Sequence, residues 1–147
     1  MKLTLSIVVA LAACKKSEPP DPIRDLIAQE IPKLERELAA HNEPEVLASC
    51  MITDGAESAK HMSSTVADKI ARLCNIEAPR MFLDKALDTV KAEDAKQPEL
   101  HDLNCMQLQL FASRALETIA KHPTNDPELK RLADDYHHLC PKTPTAP

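Results

Sequence analysis

Four cysteines, Cys50, Cys74, Cys105 and Cys140, stand at distances that a helical hairpin would bring together. In an antiparallel helix pair, two residues meet when they are equally far from the turn. The midpoint between Cys105 and Cys140 falls at His122-Pro123, inside "HPTNDP", the clearest turn in the chain. The midpoint between Cys50 and Cys74 is Met62, just before Ser63-Ser64. Four cysteines allow three connectivities. Only Cys50–Cys74 with Cys105–Cys140 closes both hairpins, and that pairing is predicted.

The hairpins are predicted to be helical because the chain offers little else. One glycine in 147 residues rules out most tight β-turns and every Gly-rich phosphate loop. No segment alternates as a strand would, and Ala, Leu, Glu, Lys and Asp dominate. Twelve prolines look hostile to helix until they are placed. Pro22, Pro44, Pro79, Pro98 and Pro127 each precede a run of helical period, where the missing N–H costs nothing. Asp21 and Asp126 stand ready as caps.

The first run aligns Ile23, Ile27, Ile31, Leu34 and Leu38, with Pro32 expected to kink it. The second carries Val46, Leu47, Cys50 and Met51. The third follows the capping-box-like Thr65-Val66-Ala67-Asp68 with Ile70, Leu73 and Cys74. The fourth has Leu83, Ala86, Leu87 and Val90. The fifth, expected to be the longest, has Cys105, Leu108, Ala112, Ala115, Leu116 and Ile119. The sixth has Leu129, Leu132, Ala133, Tyr136 and Cys140. The fold class is therefore all-α, with about six helices.

The chain also echoes itself. "EPEVLASCM" at 43–51 resembles "QPELHDLNCM" at 97–106, and "ADKIARLC" at 67–74 resembles "ADDYHHLC" at 133–140. The helical domain, 21–140, reads as two disulfide-stapled three-helix units, about 21–75 and 77–140, from an internal duplication. "PKTPTAP" at 141–147 forms a loose tail.

Ahead of the domain, Lys2 precedes the apolar run Leu3 to Ala12, too short for a bilayer-spanning helix and suited to a secretory signal. It ends in Leu11-Ala12-Ala13-Cys14. This motif resembles the lipobox of bacterial lipoproteins. The resemblance covers residues 1–14 only and implies removal of 1–13, diacylation of the Cys14 thiol and a stable membrane anchor. By the same resemblance, Lys15 in place of Asp favours the outer membrane, with the domain facing the periplasm or the cell surface. "KKSEPP" would tether it within about 20 Å of the lipid. In such an oxidising compartment disulfides are the default.

Loss of 1–13 removes one lysine, leaving 17 basic against 23 acidic residues and a net charge of −6. That balance argues against a nucleic-acid partner. A zinc site from His101, Cys105, His137 and Cys140 would need reduced thiols and would explain only one of two similar pairs. Met51, Met62, Met81 and Met106 with His61 suggest copper handling less well than core filling. No nucleophile or metalloprotease motif occurs, and carboxylate neighbours such as Glu35/Glu37 and Asp134-Asp135 suit a solvated helix face. His137-His138 reads as surface. No cofactor is implied.

The expectation is a non-catalytic envelope lipoprotein that binds a protein or peptide. The alternative is a periplasmic lipoprotein that binds a small ligand or metal ion. A large exposed apolar patch would favour the first and a deep cavity the second.

Overall fold

A computed structural model describes residues 19–141, so Cys14, the signal run and the tail beyond Pro141 lie outside the described residues. The chain folds into α1 (Pro22–Ala39), α2 (Glu43–Thr53), the single turn α3 (Ala56–Ala59) and α4 (Ser64–Arg72). There follow α5 (Ala78–Asp94), α6 (His101–Gln107), α7 (Gln109–Lys121) and α8 (Pro127–Leu139). No strand occurs among the described residues. Both disulfides are present with the predicted pairing, Cα to Cα 5.6 Å for Cys50–Cys74 and 5.7 Å for Cys105–Cys140.

The caps work largely as the sequence suggests. Asp21 accepts from the backbone N–H groups of Ile23 and Arg24, both at 3.1 Å, and Asp126 accepts from that of Leu129 at 2.7 Å. Each satisfies donors that the first helical turn orphans. The cap of α4 is Ser63, accepting from Val66 N–H, two residues ahead of the expected Thr65. At the end of α1, His41 N–H reaches Leu38 O and Asn42 N–H reaches Glu37 O, the paired bonds of a Schellman motif. His41 holds φ at 54°, the left-handed conformation usually left to glycine. Because a Cβ there costs about 1 kcal/mol, His41→Gly should raise stability by about that amount in urea unfolding.

Two helix boundaries differ from expectation. Pro79 does not open a new helix. The chain runs from α4 into α5 through the π-helical turn Leu73–Glu77, where Ala78 N–H reaches back to Leu73 O. In a regular α-helix the Pro79 ring would collide with the carbonyl four residues earlier, and the widened turn relieves that clash. The same turn carries Cys74. The fifth predicted helix is in turn not the longest, because it breaks at Leu108 (φ −96°, ψ 1°) into α6 and α7. The break lets α6 meet the end of α8 while α7 lies along α5. Pro32, by contrast, is carried inside an unbroken α1.

At the centre, α5 buries Met81, Phe82 and Leu83 in succession, then Ala86, Leu87 and Val90. Three consecutive buried residues span most of a helix's circumference, as expected where packing surrounds it. Ile27 and Leu34 of α1, Val46 of α2, Ala112 and Ala115 of α7, and Leu129, Leu132 and Tyr136 of α8 join the same core. Arg80 grips both carboxylate oxygens of Asp126, fixing the start of α8 to α5. The buried Tyr136 hydroxyl has no hydrogen-bond partner among the described residues. Tyr136→Phe removes a desolvated hydroxyl that gains nothing, so stability should rise by about 1 kcal/mol in the same assay.

Candidate functional site

The 3₁₀ turn Pro98–Leu100 and the short α6 bring His101, Asp102, Cys105 and Met106 beside Cys140 and Pro141 at the end of α8. Between them lies a cleft of about 310 Å³ with the Cys105–Cys140 disulfide in its wall.

His101 organises one side of this cleft. Its Nδ1 lies 2.6 Å from Asp94 Oδ2 at the end of α5, and its Nε2 lies 2.8 Å from the Leu139 carbonyl of α8. Both partners are acceptors, so satisfying both requires a hydrogen on each ring nitrogen, the imidazolium form. The Asp94 carboxylate holds the His101 pKa above its ordinary value, against desolvation, and the Leu139 carbonyl adds to the effect. Asp94 is in turn held low, first by the Asn104 amide at 2.9 Å and then by His101. The Cys105 sulfur sits 3.8 Å from His101 Nε2.

The other half of the chain carries a related pair. His61 Nδ1 meets Asp21 Oδ2 at 2.8 Å, and Nε2 faces Glu57 Oε1 at 3.6 Å. Asp21 is chiefly responsible for raising the His61 pKa. Both histidines therefore contribute stability that is complete below their ordinary 6.5 and lost as pH rises through their higher folded values. Asp21, Glu57 and Asp94, held low, contribute stability that is complete above their ordinary values and lost as pH falls through the folded ones. Stability should therefore be greatest between about pH 4.5 and 6.5 and decline as pH rises above 6.5. The decline should shrink in His61→Gln and His101→Gln, read from urea midpoints across pH.

Alongside the cleft stands a run of exposed apolar side chains: Leu100 (36% exposed) of the 3₁₀ turn, Leu103 (45%) and Met106 (67%) of α6, and Leu110 (61%) of α7. The inner side of the same segment buries Cys105 and Ala112 beside the polar Asn104, so apolar side chains stand on both sides of this stretch. From Gln97 to Ser113 its fixed charges are Glu99 and Asp102, with no lysine or arginine. A smaller exposed group, Leu26, Met51 and Ile52, belongs to α1 and α2.

Several sequence-predicted candidates are not brought together. His101, Cys105 and Cys140 are adjacent, but both cysteines are bonded and His137 lines a separate cleft with Leu116 and Ile119. No group of three or more potential metal-holding side chains occurs among the described residues. Met51 and Met106, expected as core fillers, are each 67% exposed, because each turns about 100° away from the cysteine before it, half-buried Cys50 and buried Cys105. Met81 is buried and His61 is engaged by Asp21. Glu35 pairs with Lys69, Glu37 with Asn42, and Asp135 with Arg131. His138 Nδ1 lies against the Asp134 carbonyl.

Sequence reasoning missed Asp94 and Asn104, which act across a turn, and the outer row. The row had a signal: Leu100, Leu103 and Leu110 keep helical spacing off the core face. No family model, curated protein or solved structure matches the chain.

Proposed function

We propose that this protein is a lipid-anchored, non-catalytic binding module of the bacterial envelope, held in the outer membrane through Cys14. Its partner is a helical segment of another envelope protein. The observation that carries the reading is the apolar row Leu100, Leu103, Met106 and Leu110, exposed beside a cleft able to take one anchoring side chain. An amphipathic helix docks on such a surface through apolar residues at helical spacing. Glu99 is exposed at the edge of the row and the stretch holds no lysine or arginine, so the complementary partner carries lysine or arginine beside its apolar face. Finishing the burial of four half-exposed side chains is worth roughly 3–6 kcal/mol before association costs. That magnitude suits a reversible complex weakened by salt.

A photo-crosslinking residue placed at 103 or 110 in living cells should capture one discrete protein, through a segment of that character. The same residue at Asp68, on exposed α4, should not. Leu103→Ser with Leu110→Ser should abolish capture by a crosslinker at 106 without unfolding the domain. Indistinguishable adducts from 68 and 103 would refute the docking surface. The anchor has a separate test: an alkyne-bearing palmitate should label the wild-type protein and not Cys14→Ser. A second reading, a small ligand in the cleft, is favoured by its volume of about 310 Å³. Heat stabilisation by a small molecule that Met106→Ala abolishes would support it.

A further inference from the structure

We propose that Cys105–Cys140 is a thiol-exchange site, opened and closed by a low-molecular-weight thiol of about the size of glutathione, whereas Cys50–Cys74 is a permanent staple. The inference is independent of the docked helix proposed above. It stands on three features of one place: a disulfide in a cleft wall, a cleft of about 310 Å³, and a His101 ring, held between two acceptors, whose Nε2 lies 3.8 Å from one sulfur. The two cysteines are only 9% and 2% exposed, so the nucleophile has to be small enough to enter the cleft.

The exchange proceeds in two displacements. A thiolate RS⁻ attacks one sulfur, the protein S–S bond breaks, and a mixed disulfide forms as the other cysteine leaves. A second RS⁻ then displaces the protein sulfur from the mixed disulfide and releases RSSR. Two electrons pass from the two RS⁻ to the protein. One protein sulfur takes a proton and becomes a thiol, and the other, Cys105, remains a thiolate.

His101 makes that last state favourable. A cysteine beside a cation ionises well below its free pKa of about 8.5, and stabilising the reduced form makes a disulfide more oxidising. The Nε2–H donated to Leu139 O can turn to the Cys105 sulfur once it is charged. The groups facing that sulfur are few. Asp94 stands behind His101 on α5 and Asp102 on α6, while α8 presents the Leu139 carbonyl. Asp94 favours the protonated imidazole through its hydrogen bond to Nδ1 and does not touch the sulfur itself.

Cys50–Cys74 also borders a cleft, of about 140 Å³ and lined by His122 among others, and Cys50 is half-buried, but among the described residues no histidine nitrogen lies within hydrogen-bonding reach of either sulfur. The polar neighbour of Cys74 is the Thr53 hydroxyl at 3.8 Å. Arg114 and Lys121 line the adjoining cleft, but each is paired with Glu117.

The test equilibrates the whole protein in glutathione buffers of graded redox ratio, alkylates it and maps both bonds by mass spectrometry. Cys105–Cys140 should open at a ratio at least tenfold more oxidising than Cys50–Cys74. His101→Gln should shrink that gap severalfold without moving Cys50–Cys74. In Cys140→Ser, alkylation of Cys105 should follow a pH profile centred well below 8.5, and adding His101→Gln should return it to about that value. Equal opening of both bonds, Cys50–Cys74 opening first, or a gap unchanged in His101→Gln would overturn the proposal. The wild-type titration decides the matter even if Cys140→Ser fails to fold.

Discussion

Phe82→Ala should lower the stability of the domain by about 3–5 kcal/mol, close to the whole of what a domain this size often has. Phe82 is 4% exposed on the central helix α5, and its ring packs on Phe111 of α7 with centroids 5.5 Å apart. Truncation removes the transfer free energy of an aromatic ring and leaves a cavity between helices that cannot close around it. Because α5 serves both halves, the loss should appear as one earlier urea transition with an unchanged slope. Two separated transitions, or a loss below 1 kcal/mol, would show that α5 is not the shared core.

The second large effect belongs to the disulfides. Removing Cys50–Cys74 as a double alanine variant frees a loop with a sequence separation of 24, and removing Cys105–Cys140 frees one of 35. Loop-closure entropy puts the losses at about 3.5 and about 3.8 kcal/mol, and their sum at about 7 if the sites act independently. The variant lacking both should therefore be largely unfolded at 37 °C, as measured by helical circular dichroism. Reducing only Cys105–Cys140 in the native protein should be milder than replacing it with alanine, because alanine offers His101 no thiolate. Retention of a full-height melting transition in the variant lacking both bonds would refute the entropic account.

The disulfide pairing and the all-helical class were legible because they rest on long-range regularity: apolar spacing, and cysteines equidistant from turns. Asp21 and Asp126 were legible as caps for the same reason, standing just before proline and an apolar run. The rest depended on compensation. Pro79 reads as a helix start by local chemistry, and only the widened turn at Leu73–Glu77 makes it an interior residue. The break at Leu108 has no glycine or proline to announce it. It arises from α6 reaching Cys140 while α7 follows α5. The His101–Asp94 contact joins the end of α5 to the start of α6 across an intervening turn, where helical spacing predicts nothing. Met106 was misassigned because a methionine next to a buried cysteine looks like core, although the helix turns it outwards.

The continuous run from Ser64 through the π turn to Asp94 makes a rod about 45 Å long. It runs across the boundary, near 75–77, between the two stretches that echo each other in sequence. A tandem array is ordinarily easiest to divide at such a seam, yet here a backbone cut at 75–77 would sever a spine that both halves grip. New termini are better placed in the 122–126 turn, and neither echo should survive excision as a free-standing miniature.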